Sequence, residues 1–356
     1  MKLTIILGLL FLFYFNLQAQ EENHQRKITF LPILYYTPET KLAGGALVNF
    51  NFYQANDTAF AYPSTIMPLF IYTMNKQIML ILKSNWYFDN EEYHFKNEIV
   101  YLDYPDLFYG IGNNSKFSDE EKFTQKVVMF DTQFLKKIYK QIDLGLHYIF
   151  ISYDVYKYES GMQLIQKTIP GSKKGYVSGI GSILTSDSRD NRHFPGVGHY
   201  IEMAYTHYGK ELGSDHLFNQ ITINLRKYYN PISNHVLALQ AVSDFQSGQP
   251  PFQLLNKLGG ENILRGFYEG RYRDRKMLVF QSEYRAMVFS RIGFVAFAGI
   301  GEVANDYQDF RLDSYKYSYG VGARLKLNKE ESLNLRADFG ITEIGSGFYL
   351  TMHEAF

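Results

Sequence analysis

Long segments in which apolar and polar residues alternate are the feature that most constrains the fold of this chain. In 315–327, tyrosine and aliphatic residues alternate with lysine, serine, glycine and arginine, and 221–226 and 333–339 follow the same pattern. A repeat of two residues puts successive side chains on opposite faces, as in a β-strand. Several of these segments are longer than the roughly five or six residues usual in soluble sheets. One apolar face and one face of charged residues and glycine are typical of a transmembrane β-barrel with a wet lumen.

Segments of this kind recur through the chain from about residue 27 onward. About sixteen can be laid out, an even number within the range of bacterial outer-membrane barrels. The long connections 103–123, 159–172 and 247–275 all join an odd-numbered strand to the next even-numbered one, so they are expected on the extracellular side. The sequence therefore predicts an all-β fold, an antiparallel transmembrane β-barrel of about 16 strands.

Composition agrees with this prediction but does not decide it. The chain of 356 residues has 30 Tyr and 29 Phe, a single Trp, no Cys and a formal net charge of zero. Zero net charge does not favour nucleic acid as a partner. Without cysteines, an exported protein has no disulfides to stabilise it. A secreted β-sandwich has a similar composition, and the length and patterning of the strands favour the barrel over it.

The first 20 residues are typical of a secretory signal peptide. Lys2 provides the positive charge, 3–15 is apolar, and small or polar residues follow. Thirteen apolar residues are too few for a transmembrane helix, which needs about 20. We expect residues 1–20 to be a signal peptide and 21–356 to form one barrel domain. This domain is expected to be integral to the bacterial outer membrane, in contact with its lipids and lipopolysaccharide.

The connection 247–275 contains an arginine-rich run, LGGENILRGFYEGRYRDR, at 258–275. An arginine in a poorly solvated lumen needs a carboxylate partner, and its planar guanidinium suits a bidentate one. Glu283 lies on the same strand face as Gln281 and Arg285, opposite Phe280 and Tyr284. We therefore predict a contact between Arg265 and Glu283 that holds the loop inside the barrel. The alternative is a surface loop whose arginines contact lipopolysaccharide phosphates.

The sequence LRGF at 264–267, followed by QSEYR at 281–285, resembles the BamA/TamA superfamily of outer-membrane assembly and translocation barrels. In that family an arginine-glycine-aromatic motif on the sixth extracellular loop folds back into the lumen. SDSRDNRHFPGVGHY at 186–200 and RADFG at 336–340 also match. The resemblance implies a loop-6 motif comprising Leu264, Arg265, Gly266, Phe267, Gly270, Arg273 and Asp274, with Glu283, Arg285, Arg336 and Asp338 as its partners in the lumen.

Two features at the C-terminal end of the sequence extend the resemblance. Where the family commonly has an aspartate, this chain has Gly299, so the second acidic partner of the loop arginine is either Glu302 or Asp338. The final segment carries an apolar face that Glu354 interrupts. This face is similar to the terminal signal by which outer-membrane barrels are recognised for insertion, and it comprises Phe348, Leu350, Met352 and Phe356.

Other kinds of site are not indicated. GIGEVA at 299–304 fits a dinucleotide fingerprint, but a loop follows it where that fingerprint requires a helix. The sequence contains neither GxSxG nor HExxH, and its nine histidines are scattered. A catalytic triad assembled from separate strands stays open, because sequence order does not exclude one. We expect no metal site, no cofactor and no enzymatic activity.

The resemblance implies that the protein inserts or translocates other polypeptides, or lipids, at the outer membrane. The implied route is a weak seam between the first and last strands, which opens to receive a client strand by edge pairing. The polypeptide-transport-associated (POTRA) repeats of familiar members are absent from this sequence, so a partner envelope subunit is expected besides client polypeptides. The alternative is a passive channel or a structural barrel within a larger envelope complex.

Overall fold

The computed structural model describes residues 26–53, 63–159, 163–328 and 333–356, and the predicted signal peptide over 1–20 lies outside the described residues. The described chain is almost entirely β-strand, with three short 3-10 turns. Across these ranges, no helix has the length and apolar character needed to cross a membrane.

The strands have the following bounds: β1 Arg26–Thr37, β2 Lys41–Phe52, β3 Ser64–Thr73, β4 Ile78–Phe88, β5 Tyr93–Phe108, β6 Glu121–Tyr139, β7 Ile142–Tyr158, β8 Gly175–Asp187, β9 Gly198–Tyr208, β10 Phe218–Tyr229, β11 His235–Gly248, β12 Asn256–Leu258, β13 Tyr272–Asp274, β14 Lys276–Met287, β15 Ile292–Ala304, β16 Lys316–Asn328, β17 Leu333–Thr342 and β18 Gly345–Met352.

Sixteen of these strands form a closed antiparallel barrel, which confirms the predicted fold class. Each barrel strand pairs with its neighbour in sequence, except that β11 pairs directly with β14. The intervening strands β12 and β13 form a separate two-stranded sheet. The connection predicted as a single loop over 247–275 therefore contains a small hairpin of its own.

The two faces of the barrel wall differ in polarity, as the alternating pattern requires. On β14, Phe280 and Tyr284 are 50% and 42% exposed, whereas Gln281, Glu283 and Arg285 are buried. Their burial follows from side chains and connecting segments that pack against this polar face. Charged residues from several strands are thereby brought together, and the candidate site is built from them.

The barrel closes through a short contact between β1 and β18. β1 pairs with β2 along its whole length, and β18 pairs with β17 from Gly345 to Met352. Between β1 and β18, Tyr36 and Leu350 are the register partners within the described ranges. The chain then leaves the sheet at His353, which has a φ of +64°. In the same register, residues 353–356 would otherwise have faced 30–33 of β1.

Candidate functional site

The arginine-glycine-phenylalanine segment of the connection lies directly on the buried face of β17 and β18. A Cβ on Gly340 would lie 2.4 Å from the carbonyl oxygen of Arg265, so only glycine fits beneath the segment. Gly266 has a φ of +114°, a conformation that glycine adopts without strain. Its N–H donates to Tyr349 Oη at 2.9 Å, and that hydroxyl donates to the carbonyl oxygen of Phe267 at 3.2 Å. These contacts therefore fix the position of the Arg265 backbone, from which its side chain extends.

The Arg265 guanidinium binds two carboxylates from different strands. Nη2 donates to Glu283 on β14 and Nη1 donates to Asp338 on β17. The guanidinium carbon also lies 3.6 Å from the ring centroid of Phe297. All three charged side chains are almost completely buried. The predicted contact between Arg265 and Glu283 is thus present, and it is a hydrogen bond between two oppositely charged groups.

The second acidic partner of Arg265 is Asp338. The sequence had left Glu302 and Asp338 as alternatives for this role. Glu302 is engaged elsewhere, because its carboxylate accepts from Ser314 Oγ and from the N–H of Arg311. Gly299 has a different role from an acid: a Cβ there would lie 2.7 Å from Leu264 Cδ2. Without a side chain at this position, Leu264 of the loop can pack against the strand.

Three further arginines extend the pair into a network of buried charges. Arg285 Nε donates to Glu283 Oε2 at 2.8 Å, and Arg324 Nη1 donates to Asp338 Oδ1 at 2.5 Å. Arg336 Nε lies 3.6 Å from Asp338 Oδ2 and donates to Thr351 Oγ1 at 2.8 Å. Each carboxylate is therefore shared among several guanidiniums. We call Arg265, Glu283, Arg285, Arg324, Arg336, Asp338 and Glu354 the charge network.

The segment that follows β18 joins this network. Glu354 accepts from Arg324 Nε at 3.0 and 2.8 Å through its two carboxylate oxygens. The backbone oxygen of Phe356 accepts from Arg285 Nη2 at 2.9 Å. The Phe356 side chain is buried in a cluster with Tyr228, Val236, Ala238 and Ala355. We call residues 353–356 the terminal segment.

The four predicted residues of the terminal insertion signal do not share one face. Phe348 is 44% exposed on the apolar side, and Leu350 and Met352 are half-buried on the same strand. Phe356 is only 4% exposed, because the chain turns at His353 before reaching it. The strand alternation that placed it beside Phe348 ends at Met352.

The remaining residues of the predicted loop motif lie in and beside the β12–β13 hairpin. Phe267 packs in a buried apolar cluster that includes Leu264. Arg273 is buried, and its Nε and Nη2 donate to the carbonyl oxygens of Gly270 and Leu107 at 3.3 and 3.2 Å. Asp274 Oδ1 accepts from the N–H of Arg275 at 2.7 Å. Gly270 has a φ of +72°. These residues shape the hairpin and the apolar packing beside it, and Phe267 forms a β-bridge with Arg265 of the charge network.

Several residues of the site were not predicted from the sequence. Arg324 lies on the polar face of an alternating segment, and no motif in the sequence distinguishes it from the other residues of that face. Glu354 looked like an interruption of an apolar face. Tyr349 gave no signal beyond its alternation, and Gly340 was noted only as the end of the RADFG motif, because their role depends on the loop that lies against them. Among the described residues, no group of three or more His, Cys, Asp or Glu side chains could hold a metal ion.

Comparison with known proteins places this geometry in context. A sequence profile described as the Omp85 superfamily domain matches residues 73–356. No curated protein matches the chain by sequence comparison.

Solved structures with a similar fold include BamA from Haemophilus ducreyi lacking POTRA domains 1–3, at a TM-score of 0.63 and 14% identity over 93% of this chain and 71% of that one. CdiB from Escherichia coli gives 0.61 and 10% over 94% of this chain and 64% of that one. CdiB from Acinetobacter baumannii gives 0.56 and 10% over 94% and 61%. The chain thus spans less than two thirds of either CdiB, and likeness at these identities shows the fold alone.

Proposed function

Because this chain belongs to the Omp85 superfamily, we propose that it assists the insertion or translocation of polypeptides, or of lipids, at the bacterial outer membrane. The proposal includes integral residence in that membrane, contact with its lipids and lipopolysaccharide, client polypeptides and a partner envelope subunit. The exposed apolar residues of the barrel wall suit a lipid environment.

The observation that carries the proposal is the contact between β1 and β18. Along residues 30–33, the β1 edge has no register partner among the described residues of β18 or the terminal segment, because the terminal segment turns away from it. A strand edge with free N–H and C=O groups is a template for a further strand. A client strand could therefore add to β1 by the main-chain pairing used in β-augmentation.

The charge network supports the same mechanism by holding the terminal segment away from the β1 edge. We infer that the 249–275 connection occupies the lumen, because Arg265 reaches carboxylates on the polar face of β14 and β17. A filled lumen limits the passage of ions and small solutes through the barrel. The seam between β1 and β18 stays available to a client strand. The process as proposed involves no catalytic step and no cofactor.

The seam can be tested with a disulfide, since the chain has no cysteine of its own. In Tyr36→Cys/Leu350→Cys, oxidation would join the register partners of β1 and β18. The matched control, Leu82→Cys/Ile99→Cys, joins register partners on β4 and β5 in the continuous wall. Proteoliposomes containing each protein are given an unfolded barrel-forming client, and protease-protected client is measured with and without reductant.

We expect oxidation to stop client insertion in the seam variant and reduction to restore it, while the control inserts client under both conditions. Equal insertion by the oxidised and reduced seam variant would contradict opening between β1 and β18. The insertase function itself would be contradicted if the unmodified protein and both variants inserted no more client than empty liposomes do.

A further inference from the structure

A cavity of about 210 Å³ lies beside the connection 249–275. It is bordered by β5 and β6, the β1–β2 turn and the β12–β13 hairpin. Its walls include Glu39, Leu102, Tyr104, Asp106, Gln125 and Glu269. None of these residues belongs to the charge network, and the function proposed above does not use them.

Acidic side chains predominate over basic ones in the walls of this cavity. Three carboxylates line it, and Lys257 is the cation among its lining residues, with Nζ 3.4 Å from Glu269 Oε1. The buried Arg273 nearby does not line the cavity, and its guanidinium donates to backbone carbonyl oxygens. A cationic group that entered the cavity would therefore meet more carboxylates than ammonium groups.

The carboxylates are held in place by the surrounding chain. Glu39 Oε1 accepts from the N–H of Glu269 at 2.8 Å. Asp106 Oδ1 accepts from Tyr268 Oη at 3.1 Å and from the N–H of Leu107 at 2.8 Å. Such bonds fix the position of each acid before a ligand arrives, which lowers the entropic cost of binding.

A second and independent feature points to a ligand that donates hydrogen bonds. Gln125 is only 8% exposed, and its Oε1 has no hydrogen-bond partner among the described residues. A buried acceptor without a donor is costly, and such groups in native proteins are usually satisfied. Gln125 is the register partner of Tyr104, which also lines the cavity. The cavity thus combines an unsatisfied acceptor with an excess of carboxylates.

We propose that this cavity binds an alkylammonium cation. Its N–H groups donate to Gln125 Oε1 and to the carboxylates of Glu39 and Asp106, and its methylene groups lie against Leu102 and Tyr104. A directly coordinated metal ion fits less well, because the described residues include no group of three or more ligating side chains arranged to hold one. An ammonium needs only acceptors within hydrogen-bonding distance, without a fixed coordination geometry.

Isothermal titration calorimetry on the full folded barrel in detergent micelles tests this proposal. The probes are 1,4-diaminobutane, which represents a free amine, and Nα-acetyl-lysine amide, which represents a polypeptide side chain. The uncharged 1,4-butanediol has the same chain length as the diamine and serves as the ligand control. We expect at least one amine to bind and the diol not to bind. Binding of the diamine alone assigns the site to free amines, and binding of the lysine derivative assigns it to polypeptide side chains.

The variants Glu39→Gln, Asp106→Asn and Gln125→Leu should each weaken amine binding by about tenfold or more. Glu159→Gln removes an exposed carboxylate that pairs with Lys157 and should leave binding unchanged. Heat-modifiable migration on SDS gels confirms that each variant is folded, and three separate variants keep the test valid if one fails to fold. The proposal is overturned if neither amine binds, if the diol binds equally well, or if the folded cavity variants bind like the unmodified protein.

Discussion

Arg265 is held by two carboxylates whose own neighbours are further arginines. Glu283 faces Arg265 and Arg285, and Asp338 faces Arg265 and Arg324. Burying a charge is costly unless it is paired and hydrogen-bonded, so each member of the network depends on the others. Removal of Arg265 therefore takes the donated N–H groups from one oxygen of Glu283 and one of Asp338, both of which stay buried.

Arg265→Ala should lower the free energy of unfolding by about 3–5 kcal/mol, the usual cost of breaking a buried ion pair from one side. The control Arg311→Ala removes an arginine that pairs with Asp313 while both side chains remain largely exposed. Surface pairs of this kind contribute up to about 1 kcal/mol. Urea unfolding of the barrel in lipid vesicles measures both variants. A loss no larger for Arg265→Ala than for Arg311→Ala would show that the buried pair does not stabilise the barrel.

At the scale of elements, the terminal segment is the part that departs most from regular β-structure. It leaves β18 at His353 and places Glu354 and Phe356 among side chains of β10, β11, β14 and β16. The His353 ring stacks on His193 in the β8–β9 turn, with ring centroids 4.9 Å apart. The segment therefore connects the end of the barrel wall to a turn on another part of the rim.

The stacked histidines predict that acid loosens the terminal segment. Loss of hydration beside the packed chain, and then the neighbouring His193 and Arg336, lower the pKa of His353 to about 4, while Glu354 opposes this shift. The pKa of His193 is also lowered, chiefly by the same loss of hydration. A histidine whose pKa is lowered by folding takes up its proton more readily in the unfolded chain. Its contribution to stability is thus full above about pH 6.5 and is lost as the pH falls toward 4.

The free energy of unfolding should therefore decrease between pH 7 and pH 4.5, and decrease less steeply in His353→Asn. Asparagine tolerates the positive φ at this position and does not titrate in that range. Chemical unfolding at several pH values gives the two slopes. Identical slopes would mean that protonation of His353 does not contribute to the acid sensitivity.

At the scale of the whole molecule, the connection 249–275 packs against the barrel wall on two sides. On one side the connection rests on Gly340 and is held by Arg265. On the other side Phe252 packs against Phe108 and Phe123, with ring centroids 5.2 and 5.4 Å apart. If the connection occupies the lumen as proposed, both contacts must persist for it to limit passage through the barrel. This requirement separates the proposed function from a passive channel.

Gly340→Ala should raise the ion conductance of the barrel in planar bilayers. The added Cβ would lie 2.4 Å from the carbonyl oxygen of Arg265 and would displace the segment that holds the connection. Gly345→Ala is the matched control, since a Cβ there would meet no atom within 4 Å. We expect low conductance in the unmodified protein and the control, and larger or longer openings in Gly340→Ala. Large, steady conductance in the unmodified protein would favour the passive channel.

The sequence by itself determined the fold class and the polarity of the two barrel faces. Alternation is a local property, because residues two positions apart in a strand lie on the same face of the sheet. For the same reason Glu283 could be placed on the polar face with Gln281 and Arg285. The contact between Arg265 and Glu283 followed from the need of a buried guanidinium for a carboxylate.

Only the tertiary structure decided which distant residues meet. Whether Asp338 or Glu302 binds Arg265 depends on how the connection lies across β14–β17, and no sequence spacing encodes that path. Gly299 has meaning only once Leu264 packs above it. In the sequence, Phe356 continues the alternating pattern of the last strand. In the structure, the chain turns at His353, and Phe356 packs against buried residues of β10 and β11. Such contacts join segments far apart in sequence, and their energies depend on the closed barrel that brings the segments together.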